Sequence, residues 1–119
     1  MIKLLSTVLL AFTITVIADD WPQWRGPDRN GVSKESGLLK QWPSSGPARL
    51  WMNSSLGAGY GSISVNGNRI YVQSLIGRQS TVASLNRADG KLVWSKVLGP
   101  GVTNNQGPGP RGTDRKSVV

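Results

Sequence analysis

Three oxygen-bearing residues mark where this chain could do chemistry. Asp28 and Asn30 stand in Asp28-Arg29-Asn30-Gly31, the spacing with which a calcium loop opens, and Asp89 stands in Arg87-Ala88-Asp89-Gly90. Calcium takes roughly 6 to 8 oxygen ligands, and such a loop needs a closing glutamate to supply two of them. No glutamate follows Asp28 at that distance, so the segment is expected to be a turn. Cysteine and histidine are both absent. Their absence excludes the common zinc arrangements, any Ser-His or Cys-His nucleophile pair, a lipid-attachment cysteine and stabilisation by disulfides within this stretch.

The remaining motif-like strings carry less. Gly57-Ala58-Gly59-Tyr60-Gly61 has the glycines of a dinucleotide loop, but it precedes an expected strand, whereas phosphate binding of that kind needs a helix N-terminus. Residues 107–113 lack the Gly-Lys-Ser/Thr of a phosphate loop, and Asn53-Ser54-Ser55 is a formal glycosylation sequon to which no function attaches. No catalytic, cofactor-binding or metal-binding residue is assigned. Trp21-Pro22-Gln23-Trp24-Arg25-Gly26-Pro27 offers an aromatic platform for sugar or peptide, or a pair of anchors fastening the N-terminal segment to a larger body. The anchor reading is preferred, because one buried Trp removes on the order of 200 Å² from water, and two such anchors offset the ordering of several irregular residues.

The formal charge of +8 raises the question of nucleic acid. Without Lys3 and without Asp114, Arg115 and Lys116 the chain keeps 11 basic and 5 acidic residues. These are scattered singly, with no basic run or stripe, so they read as a solvated surface and not as a nucleic-acid footprint.

Residues 1–18 read as a secretory signal peptide. Lys3 gives the positive start, residues 4–17 form an apolar run broken only by Ser6, Thr7, Thr13 and Thr15, and Val16-Ile17-Ala18 precedes Asp19 as a cleavage site. Fourteen residues fall short of the roughly 20 that span a bilayer, so no membrane span is expected after cleavage. Residues 114–119, Asp-Arg-Lys-Ser-Val-Val, match one reading frame of a widely used sequencing adapter. They are read as a non-native tail on the N-terminal part of a longer protein.

Residues 19–47 are rich in Trp, Pro, Gly and Ser without a sustained period. Irregular structure is expected there, with one helical turn at residues 36–41. From residue 48 the pattern is all-β. A short strand is expected at 48–53, centred on Leu50-Trp51, and then four strands within residues 60–97. They lie at 60–65, 69–74, 80–86 and 91–97, joined by turns at Asn66-Gly67-Asn68, Gly77-Arg78-Gln79 and Arg87-Ala88-Asp89-Gly90. The first would place Tyr60, Ser62 and Ser64 on one face and Gly61, Ile63 and Val65 on the other. A Gly/Pro/Asn-rich loop, 98–113, should lead away to a further element. Ala48-Arg49-Leu50-Trp51 is echoed by Lys91-Leu92-Val93-Trp94, a step of 43 residues between the two Trp. That period belongs to propeller-like repeats.

Residues 83–94 resemble the repeat of the pyrroloquinoline-quinone-like (PQQ-like) β-propeller superfamily, whose blades end in Ala-x-Asp-x-x-Thr-Gly-x-x-x-Trp. Asn86 stands at the Asp position, Asp89 at the Thr position and Trp94 at the Trp. The stretch from Trp21 to Gly31, with Gly37-Leu38-Leu39, Trp42-Pro43 and Leu50-Trp51, is similar to the start of exported members found in planctomycetes. The resemblance implies one four-stranded blade plus an extra strand of an incomplete propeller, with Trp51 and Trp94 as docking residues between blades and Leu50-Trp51 closing the last blade. The function implied is a non-enzymatic binding or scaffold module of the cell envelope, periplasmic or extracellular, resembling the outer-membrane assembly propellers that bind partner proteins. The alternative is the N-terminal part of a quinoprotein alcohol or sugar dehydrogenase, which would bring PQQ and calcium as cofactors; under the preferred reading none is expected.

Overall fold

The computed structural model describes residues 18–112, so the apolar run expected to be a signal peptide and residues 114–119, expected to be a non-native tail, lie outside the described residues. The protein is all-β. Four strands, β1 (Ser64–Asn66), β2 (Arg69–Ile76), β3 (Gln79–Asn86) and β4 (Leu92–Pro100), form one antiparallel sheet in the order β1-β2-β3-β4. A second, two-stranded sheet pairs β5 (Thr103–Asn104) with β6 (Gly107–Pro108).

Turn chemistry sets the register of the first three strands. Asn66 pairs with Arg69 and Ile76 with Gln79, so the hairpin loops are Gly67-Asn68 and Gly77-Arg78. Each has glycine at its first central position with positive φ, 56° and 60°, the requirement of a II′-type turn. The β3–β4 connection is longer. Gly90 N–H donates to the Asn86 carbonyl (2.8 Å), Asn86 N–H donates to the Lys91 carbonyl (2.9 Å), and the Asn86 side chain accepts from Ala88 N–H (2.9 Å).

Two residues of β4 have no partner in the ladder. Ser84 pairs with Trp94 and Leu85 with Leu92, which leaves Val93 as an extra residue; Thr81 pairs with Val97 and Ser80 with Gly99, which leaves Leu98. Both are β-bulges on the outer strand, where they twist the edge and spoil it as a template for indiscriminate pairing.

Opposed residues share a face, so the ladder divides the buried positions. Ile70, Ser74, Thr81, Ala83 and Leu85 lie on one face, and Ser64, Leu75 and Ser84 on the other. The chain preceding the sheet runs its length. At one end the Trp51 indole N–H donates to the Arg87 carbonyl (3.0 Å) and the Asn53 amide donates to the Gly90 carbonyl (2.8 Å). At the other end Ala58 and Leu75 exchange backbone hydrogen bonds of 2.9 and 2.6 Å.

Several expectations need correction. Residues 48–53 form no strand; the Trp51 indole N–H is held by the β3–β4 turn, and among the described residues no strand pairs with this segment. Residues 36–41 make no helical turn, because Gly37 takes φ of 72°. The first strand begins only at Ser64, since Tyr60 N–H donates to the Pro110 carbonyl (2.8 Å) instead of entering the ladder. Its faces differ in consequence: Ser64 is fully buried, whereas Ile63 and Tyr60 are exposed. The strands at 69–74, 80–86 and 91–97 run longer than expected, to Arg69–Ile76, Gln79–Asn86 and Leu92–Pro100. The Gly/Pro/Asn-rich segment is held against the sheet over residues 101–110. Gly101 N–H donates to the Arg78 carbonyl (2.8 Å), Gly109 N–H donates to the Val102 carbonyl (3.0 Å), and the β5–β6 hairpin brings Pro110 back to Tyr60.

Among the described residues the buried hydrophobic side chains are Ile70, Leu75, Ala83 and Leu85. Each contributes roughly 1.5–3 kcal/mol at most on burial, Ala less, a small sum against the entropy of ordering the chain. Residues 19–113 expressed alone are therefore expected to unfold without a sharp transition or to aggregate through β4. A cooperative two-state denaturant transition of the isolated monomer would contradict this.

Candidate functional site

The residues singled out for cation chemistry are each occupied within their own turns. Asp28 pairs with Lys34 at 2.6 Å, and the Asn30 side-chain oxygen accepts from Val32 N–H at 2.9 Å. The hydrogen bond and charge of Asp28 raise the Lys34 pKa above its ordinary value. The Asp89 carboxylate accepts from Lys91 N–H (3.1 Å) and pairs with the Lys91 ammonium (3.3 Å). Chiefly through that backbone N–H, and then through the Lys91 side chain, its pKa is lowered. Among the described residues no three Asp, Glu, His or Cys side chains converge in a way that could hold a metal ion.

The two N-terminal tryptophans part company. Trp21 exchanges hydrogen bonds with Val65 (N to O 3.0 Å, O to N 2.9 Å) and lays its ring against Gly26, where a Cβ would collide with it. It is an anchor. Trp24 is 64% exposed, with the Arg25 guanidinium 5.4 Å from its ring centroid, and fastens nothing. Before Pro27 the chain makes a tight turn, with Arg25 at φ 62° and Gly26 at φ 78°.

The more informative surface lies on the sheet. The register lines up Ser64, Tyr71, Ser84 and Trp94 across all four strands on one face. Adjacent strands stand about 4.8 Å apart, so residues on β2 and β4 start roughly twice that distance from each other. The ring centroids of Tyr71 and Trp94 nevertheless lie 6.2 Å apart, tilted by 51°. The rings lean together over Ser84, which is 0% exposed and small enough to fit beneath them. Trp94 itself is 44% exposed, and Leu92, Val93, Val97 and Leu98 are exposed along the same strand.

Trp51 has a separate role. Its ring lies against Gly90, where a Cβ would run into the indole, and its N–H is held by the Arg87 carbonyl. It grips the β3–β4 turn from outside while Trp94 sits within the sheet, so the two echoed tryptophans occupy different environments. The sequence reading missed the Tyr71–Trp94 pair. The two-residue loops would have placed Tyr71 opposite Ser84, but a bulge at Val93 was not visible in the residues.

Comparison with family models, curated proteins and solved structures finds no match for this chain. No helix among the described residues is long and apolar enough to cross a membrane.

Two measurements test this geometry in the intact protein. The hydroxyls of Ser64 and Ser84 are buried with no hydrogen-bond partner among the described residues. Ser84→Ala should therefore be neutral or stabilising by up to about 1 kcal/mol, whereas Ser84→Leu should wedge the rings apart and destabilise by about 1–3 kcal/mol, both read from denaturant midpoints. For Asp89 the folded pKa is depressed, so its turn contacts persist above the ordinary carboxylate range and are lost as pH falls through the lowered value. The acid-induced shift of the Lys91 amide resonance should accordingly have its midpoint below the ordinary value of 3.8.

Proposed function

We propose that this chain is the N-terminal part of an exported PQQ-like β-propeller, a non-enzymatic binding or scaffold module of the cell envelope. One observation carries the reading. The four-stranded antiparallel meander exposes Leu92, Val93, Trp94, Val97 and Leu98 along its outermost strand, an apolar surface that a radially stacked neighbouring blade would cover. A single sheet cannot shield both of its faces, and repeat architectures solve this by stacking. Under this reading Trp94 is an inter-blade docking residue and Trp51 a brace on the blade's last turn. Binding would then fall to the loops of the assembled disc.

Export is part of the proposal. Its support is the charged start, the apolar run and the Val16-Ile17-Ala18 cleavage pattern of the leader.

The absence of enzymatic activity is argued from the donor chemistry. A planar tricarboxylate cofactor needs cationic or amide donors converging with aromatic planes, together with a metal held by carboxylate and amide oxygens. In this chain Asp28, Asn30 and Asp89 are engaged in turns, and the strands β2 and β3 offer mostly Ser, Thr and aliphatic side chains. Titration of the full-length protein with pyrroloquinoline quinone and Ca²⁺, followed by tryptophan quenching against an unrelated Trp-containing control, should give no saturable signal. Saturable micromolar binding would overturn the non-enzymatic reading in favour of a quinoprotein dehydrogenase.

A further inference from the structure

Residues 19–21, 27–28 and 32–35 line an open cleft of about 230 Å³, with Trp21, Pro27 and Val32 as its apolar side chains and Asp19, Asp28 and Glu35 among its charged ones. Its approach is fixed from the sheet side. Both carboxylate oxygens of Asp20 accept from Gly67 N–H at 2.9 Å, Arg87 stands 3.6 Å from Asp20, and Trp21 is bonded in both directions to Val65. Residue 19 is thus the first position beyond a fastened backbone. Its N–H donates to the Glu35 carboxylate at 2.7 Å. Lys34, the adjacent cation, is taken by Asp28, and among the described residues Glu35 has no ion pair.

We infer that this cleft is the seat for the chain's own α-amino group once the leader is removed after Ala18. The inference deepens the export reading and rests on it. Hydrolysis of the Ala18–Asp19 peptide bond consumes one water, leaves the new carboxylate on Ala18 and releases Asp19 as an amine. With an ordinary pKa of about 7.7–8.0, that amine takes up a proton and is mostly ammonium at neutral pH. The neutral N–H that donates to Glu35 before cleavage becomes a charged donor in the same place, and charge-assisted hydrogen bonds are roughly twice as strong as neutral ones. Cleavage also removes the Ala18 carbonyl that accepts from Arg87 at 2.8 Å. Arg87 retains the Gly67 carbonyl (3.2 Å) and Asp20, so the turn that holds residue 20 keeps its clamp. Processing thus exchanges an outer contact of the leader for an ion pair at Glu35, and favours the mature terminus staying docked.

The experiment uses the full-length secreted protein. Intact mass first establishes the starting residue, which should be Asp19. The α-amino group is then labelled at neutral pH with 2-pyridinecarboxaldehyde, in the native protein, in Glu35→Gln, in Lys34→Gln and in urea-unfolded protein as the reference for a free amine. Labelling of the native protein should be about fivefold slower than that of Glu35→Gln, a ratio equivalent to about 1 kcal/mol. Lys34→Gln should label no faster than native. A chain that starts at Asp19 but labels equally fast in native and Glu35→Gln forms overturns the seat and leaves export standing. A mass that places the first residue elsewhere overturns the cleavage and the seat with it.

Discussion

A four-stranded antiparallel sheet has two faces and two edges to shield from water, and in this chain that constraint shapes everything around it. The β1 side is closed by backbone pairing: Trp21 bridges to Val65, and Ala58 bridges to Leu75 beyond the end of the short β1 strand. A segment running from Trp51 to Ala58 spans the sheet end to end, tied to the β3–β4 turn at one extremity and to β2 at the other. The β5–β6 hairpin is drawn back to Tyr60, and Arg111 stands 5.6 Å from that ring. The β4 edge receives no such cover among the described residues, and its apolar side chains stay exposed.

Covering without a large core requires compromises in side-chain size. Serines at positions 64, 74 and 84 are buried with hydroxyls that have no partner among the described residues, each carrying a desolvation cost. At position 84 the compromise has a visible return, because only a small residue lets Tyr71 and Trp94 meet across β3. Glycine serves similarly at position 90, where the left-handed φ of 68° shapes the turn and the missing Cβ leaves room for Trp51.

Turns also account for where the charges went. Asp28, Asn30 and Asp89 could have been cation ligands by type, but each has a backbone N–H or a lysine within reach a few residues along the chain. A nearby local donor satisfies a carboxylate at little entropic cost, whereas convergence on a metal would require several distant loops to be held together.

The residues by themselves determined the all-β class, the four-strand meander and the positions of the three turns that join its strands. Gly67, Gly77 and Gly90 supply the positive φ that hairpins and tight turns require, and the alternation of apolar residues between them has a period of two. These are local properties of a few consecutive residues, and so they can be read directly. The helical turn at 36–41 gives way locally to the left-handed φ of Gly37, whereas the strand at 48–53 and the path of residues 98–112 were not legible because their outcome depends on partners distant in the chain: Arg87 for Trp51, Arg78 for Gly101, Tyr60 for Pro110. The face on which Trp94 lies was decided by tertiary structure alone. Continuing the pairing of Leu85 with Leu92 would put Val93 opposite Ser84 and Trp94 on the other side of the sheet. One unpaired residue at Val93 reverses this, because side chains alternate every residue and a single insertion moves all that follow to the opposite face.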